Sequence, residues 1–177
     1  MSRPSSSFLR QAAGSVLLAA SSLTMADAAP PVQPAALSCQ FKAATDAAGQ
    51  VRLQFTLRNA GQHDLHLLRW GSPFEGGWFG PFVRVGTPQG DLPFQGAMRK
   101  RGDPAAQDYL LLRAGQTLNA ELSLADAYAL PPGTAPLQLK AAWHWHDVIA
   151  GGAQHPPRPR ARHQGLDQDC GEFTLTR

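Results

Sequence analysis

Residues 51–59 alternate. Val51, Leu53, Phe55 and Leu57 lie on one side, with Arg52, Gln54, Thr56 and Arg58 on the other. A period of two predicts a strand with one buried and one wet face. Asn59-Ala60-Gly61 then stops it with turn-forming residues. Leu65, Leu67 and Arg69 resume the alternation, with His66 and Leu68 opposite, so the two runs read as a hairpin with His63 near its turn. The same period predicts strands at 117–122, where Leu118, Ala120 and Leu122 point inward, and at 137–145, where Leu137, Leu139 and Ala141 share a face. Shorter candidates are 37–41, 82–85, 92–94, 108–112 and 172–176. Pro88-Gln89-Gly90-Asp91 is a turn between two of these, and 125–129 predicts a single helical turn. No long helical period is present. The expected fold is all-β, an immunoglobulin-like β-sandwich of about seven or eight short antiparallel strands.

Four stretches break the pattern. Residues 43–50 read as a turn. Residues 70–80 hold Gly71, Pro73, Gly76, Gly77 and Gly80 together with Trp70, Phe74, Trp78 and Phe79, which predicts a structured loop packed by its own rings. Residues 96–107 are polar, and 150–168 form a loop rich in Gly, Pro and Arg.

The start of the chain reads differently again. Arg3 and Arg10 precede a run of small and apolar residues at 12–23, shorter than the roughly 20 that span a bilayer. Ala26-Asp27-Ala28 follows in the small-x-small form read by signal peptidase. Residues 1–28 are therefore expected to be a signal peptide, and 29–177 a single domain with a Pro- and Ala-rich lead-in. The product is exported, periplasmic or extracellular. No later stretch is long and apolar enough for a transmembrane segment.

Export gives the two cysteines a meaning. An even count in an oxidising compartment predicts a disulfide between Cys39 and Cys170, joining the first strand to the last. There is no Cys-x-x-Cys to suggest redox chemistry. The net charge of +3 is too mild to argue for nucleic acid. The basic cluster Arg158-Pro159-Arg160-Ala161-Arg162-His163 lacks aromatic residues and reads as a solvated loop.

Catalytic patterns are absent from the sequence: there is no Gly-x-Ser-x-Gly, and Glu75 has no carboxylate partner nearby in sequence. Glu75 is expected to accept loop amides or pair with Arg69. No enzyme activity and no cofactor are expected. His144 and His146 alternate on a strand, so their rings share a face. They are a candidate metal pair, with Asp147 or His155 assisting, against the about four ligands of a structural site. The aromatic loop and the nearby basic run supply a candidate partner-binding set: Trp70, Phe74, Glu75, Trp78, Phe79, Arg99, Lys100 and Arg101. An internal mini-core and a solvated loop are the competing readings.

Five ordered stretches carry a family likeness: 55–59 (FTLRN), 67–76 (LLRWGSPFEG), 92–104 (LPFQGAMRKRGDP), 108–112 (DYLLL) and 124–128 (LADAY). Over roughly residues 50–140 the chain resembles the N-terminal, non-catalytic domain of peptidyl-Lys metalloendopeptidases, in the deuterolysin (aspzincin) group. The resemblance implies a β-sandwich and a propeptide-like relation to a zinc protease. The partner it implies is an aspzincin-type or other exported protease, inhibited or helped to fold. The family's His-Glu-x-x-His does not occur in these 177 residues, so proteolysis is not implied. The likeness also makes 99–101 either a dibasic processing site or a lysine bait. Past Trp143 the chain resembles nothing identifiable. Two other readings stay open: a structural or surface-associated β-sandwich without a protease link, and a small metal-binding protein.

Overall fold

A computed structural model describes residues 37–151 and 155–176. The expected signal peptide and lead-in lie outside the described residues. The described chain is all-β, with ten strands: β1 (Leu37–Thr45), β2 (Val51–Asn59), β3 (Leu65–Leu68), β4 (Val83–Thr87), β5 (Gly90–Asp91), β6 (Tyr109–Leu112), β7 (Thr117–Ser123), β8 (Leu137–Trp145), β9 (Val148–Ala150) and β10 (Leu166–Leu175). They form three antiparallel sheets, ordered β1-β2-β7, β10-β8-β4-β5 and β6-β3-β9. The count exceeds the expected seven or eight because β5 and β9 have only two and three residues, too few to show a period.

The first two sheets pack face to face as a β-sandwich. Phe55 of β2 lies at the centre of their aromatic core. It stacks on Phe41 of β1 at 5.9 Å and meets Phe82 and Trp143 edge-on at 6.0 and 6.2 Å. Strand β8 buries Leu137, Leu139, Ala141, Trp143 and Trp145 on one face and exposes Gln138, Ala142 and His144 on the other. This is the period-two rule carried out over nine residues. The third sheet buries one face and most of the other, where Leu111 stays exposed. Leu65, Leu67, Leu112 and Val148 join the main core, while Leu68, Tyr109 and Ile149 form a second small core with Trp70.

The pairing corrects several expectations. β2 and β3 do not form a hairpin: β2 pairs with β1 and β7, and β3 pairs with β6 and β9. The cause is Asn59. Its buried amide donates to the carbonyls of His63 and Leu112, and its side-chain oxygen accepts from the Gly61 amide. The link after β2 is thereby fastened to β6 and crosses between sheets instead of folding back. The first strand runs to Thr45 rather than ending at 41. Its turn is closed by the Asp46 carboxylate, which accepts from the Ala48 and Gln50 amides.

Residues 92–94 are not a strand; Leu92 bonds back to Val85 and the chain then leaves the sheet. The stretch expected as one long loop at 150–168 begins in β9 and ends in β10, which has ten residues instead of five. Periodicity hid this because β10 carries a bulge between Asp169 and Gly171, which breaks the alternation. Gly171 takes φ 90° there, a backbone conformation open to glycine. Inside the bulge, Cys170 forms the expected disulfide with Cys39, joining β10 to β1 across 131 residues of sequence.

Candidate functional site

The loop at 70–80 is built around one short turn. Ser72 caps the 3-10 turn Pro73–Glu75: its hydroxyl oxygen accepts from the Phe74 amide, and its O–H donates to the Arg69 carbonyl. Gly76 ends the turn in the left-handed region at φ 83°. This geometry folds Glu75 back into the loop, with its side chain only 5% exposed. Its carboxylate accepts from the Gly71 amide at 2.8 Å and is ion-paired with Arg101, with Arg99 at 3.9 Å. The expected pairing with Arg69 does not occur. Arg69 donates instead to the Gln107 carbonyl at 2.6 Å, because Arg101 reaches Glu75 from the opposite segment.

The rings of this loop divide between core and surface. Phe74 packs against Trp143 and Trp145, at 6.4 and 6.2 Å. Trp78 stacks on Phe82 at 4.4 Å and donates its indole N–H to the Ser123 carbonyl at 2.8 Å. Trp70 and Phe79 instead meet arginines. Arg99 lies 3.6 Å over the Phe79 ring, Arg101 is 5.1 Å from Trp70 and 5.8 Å from Phe79, and Arg160 is 5.8 Å from Trp70. Of the eight residues expected to form a partner surface, Trp70, Glu75, Phe79, Arg99 and Arg101 come together. Phe74 and Trp78 turn into the core, and Lys100 stands exposed on the loop between the two pinned arginines.

Beside this surface is a buried charge that sequence reasoning missed. Asp147 has no solvent exposure. It accepts from the Tyr109 hydroxyl at 2.8 Å, from the Gln164 amide at 2.9 Å and from the guanidinium of Arg158, which also donates to the Val148 carbonyl. Burial, reinforced by the Asp147 carboxylate, pushes the Tyr109 hydroxyl far above its ordinary pKa. The basic cluster at 158–163 is therefore solvated only in part: Pro159, Arg160, Ala161 and Arg162 are exposed, while Arg158 and His163 are tucked in. Arg158 is 11% exposed, Arg160 is bonded to the carbonyls of Arg101 and Gly102, and His163 Nε2 lies 3.0 Å from the Arg158 carbonyl. The one local sign was Asp147 itself, an acid at the end of an apolar strand.

A cleft of about 290 Å³ opens where these parts meet, lined by Leu68, Trp70, Arg101, His146, Arg160 and His163. Its walls carry four nitrogen bases and no carboxylate. Burial, and then the proximity of His144, His163 and Arg160, holds the His146 imidazole below its ordinary pKa. The Trp70 indole N–H is buried without an acceptor among the described residues, an arrangement that costs about 1–3 kcal/mol. Such a cleft can hold an anion.

The metal pair is placed as follows. The rings of His144 and His146 are 5.7 Å apart, and His144 Nδ1 lies 2.6 Å from Asp167 Oδ1. The two expected helpers are elsewhere: Asp147 is committed to Arg158 and Tyr109, and His155 stands against His66 at 6.2 Å. Among the described residues no group of three or more His, Cys, Asp and Glu is placed to hold a metal ion.

No family model matches the chain. The chain is 31% identical over 100 residues to the extracellular protease of Aeromonas hydrophila. The match takes in 56% of this chain and 28% of that protein, so the chain spans little more than a quarter of its relative's length. The similarity places the chain in a protease-related context. The disulfide and an extracellular relative fit an exported protein. Among the described residues no helix is long and apolar enough to cross a membrane.

Proposed function

We propose that this chain is an exported, non-catalytic module that binds a protease, as inhibitor or as folding chaperone. The observation that carries this reading is the 31% identity, over 100 residues, to an extracellular protease. The resemblance to the accessory domain of aspzincin proteases agrees with it and names the class of partner. A buried β-sandwich stapled by a disulfide suits a domain that works outside the cell. The surface formed by Phe79, Arg99 and Arg101, over the buried Trp70 ring, has the composition of a protein contact, in which aromatic residues and arginine are enriched.

The test is capture of the tagged protein, after expression in its own cells, from culture supernatant and cell envelope. Mass spectrometry of the captured material identifies the partner. A protease recovered in stoichiometric amount, and lost when Phe79 and Arg99 are both replaced by Ala, supports the reading. Recovery of the protein alone from both fractions contradicts it.

A further inference from the structure

We propose that the cleft walled by Trp70, Arg101, His146, Arg160 and His163 receives an acidic side chain, Asp or Glu, presented by a partner polypeptide. This goes beyond the protease reading, since it rests on the chemistry of the cleft and holds whatever the partner's activity.

Charge around the cleft favours an anion. Two buried carboxylates lie close by, and neither lines the cleft. Glu75 is spent on Arg101 and the Gly71 amide, and Asp147 on Arg158, Tyr109 and Gln164, with His163 Nε2 3.9 Å from its Oδ2. Among the described residues Arg160 has Asp103 as its one ion-pair partner, at 3.7 Å, and that side chain is 84% exposed. An exposed pair of this kind is screened by water and readily exchanged. The cleft thus has one guanidinium without a buried counter-ion, flanked by two imidazoles.

The cleft's donors are also preorganised. Arg160 is held in place by the backbone carbonyls of Arg101 and Gly102, and Arg101 is clamped between Glu75 and the Trp70 ring. His163 is oriented by the Arg158 carbonyl. Donors fixed before binding lose little freedom when a ligand arrives.

Size and polarity then select the ligand. About 290 Å³ lies at the lower edge of the roughly 300–1,000 Å³ of ligand clefts, room for a side chain rather than a large molecule. Leu68 and Trp70 give an apolar wall for methylene groups. One guanidinium with only an exposed counter-ion, beside two imidazoles, matches a single negative charge, whereas a phosphate dianion needs more.

The charge around the cleft follows from the same geometry. The charged groups around His146 are His144 on β8, Arg158, Arg160 and His163 on the following segment, and Arg101 across the cleft. The acids around it are Asp147, Glu75 behind Arg101, Asp103 beside Arg160, and Asp167 paired with His144. An added carboxylate relieves this crowding of positive charge.

The test is an NMR titration of the full protein with the blocked peptide Ac-Ala-Glu-Ala-NH2. Its Gln counterpart, Ac-Ala-Ala-Ala-OH and inorganic phosphate serve as comparisons. The Glu peptide is expected to shift the imidazole signals of His146 and His163. His146→Gln, at an exposed position just beyond β8, is expected to weaken binding about tenfold, the worth of one charge-assisted hydrogen bond. Arg160→Gln is expected to weaken it at least as much. Equal response to the Glu and Gln peptides overturns the proposal. So does a preference for phosphate or the free terminus, or unchanged affinity in both variants.

Discussion

At the scale of the residue, the most consequential side chain is Asp147. Its partners are Arg158, eleven positions ahead, and Tyr109, 38 positions back. No local pattern relates these positions, so the sequence shows an acid beside a histidine and nothing of the network. Asp147→Asn leaves the Arg158 guanidinium buried and unmatched, and is expected to destabilise the fold by about 3–5 kcal/mol in urea unfolding. Tyr109→Phe removes one hydrogen bond to that charge and is expected to cost about 1.5–3 kcal/mol. The tyrosines also set a pH limit. Burial pushes Tyr128 from 10.0 up to about 12, and Tyr109 is raised as well. The unfolded chain therefore releases these protons first, binds fewer of them than the folded chain, and gains relative stability as pH rises. Unfolding free energy is expected to fall from pH 10 upward, through at least pH 12, and to fall less steeply in Tyr128→Phe. A flat profile over that range contradicts the assignment.

Elements were legible where both faces of a strand differ. The bounds of β2 and β8 coincide with the alternating runs at 51–59 and 137–145. Pairing was not legible, because alternation reports which side chains are buried and not which strand lies alongside. The β2–β3 hairpin failed for that reason. A single buried amide, Asn59, sends the chain to another sheet, and a turn-forming residue in the sequence looks the same in either role. Asn59→Ala is expected to lose about 1–3 kcal/mol of stability, since the His63 and Leu112 carbonyls lose their donor. Hydrogen exchange of β3 and β6 amides is expected to speed up more than that of β1. The aromatic loop followed the same logic. Its composition marked a structured loop, but only the capped turn at 73–75 decides that Phe74 and Trp78 go inward while Trp70 and Phe79 face the arginines.

For the whole molecule, one covalent bond joins the two faces of the sandwich. Cys39 lies on β1 and Cys170 on β10, in different sheets. In the chain-entropy description a loop of 131 residues contributes up to about 5 kcal/mol. A Cys39→Ser/Cys170→Ser variant is therefore expected to melt roughly 10–20 °C lower. Cysteine count and position made this bond legible from the sequence, as composition and turn spacing made the all-β fold legible. The site was only partly so: five of the eight expected surface residues meet, while the cleft's other walls, His146, Arg160 and His163, come from a stretch that resembled nothing.

The central claim is that this molecule acts by contact with a protease. Its most direct test is to titrate the purified protein into an aspzincin-type protease from the same cells, following both peptide hydrolysis and the yield of active protease on refolding. A saturable fall in hydrolysis, or a saturable rise in refolding yield, at near-equal concentrations of the two proteins is the expected result. No change in either quantity at a large excess of this protein contradicts the account.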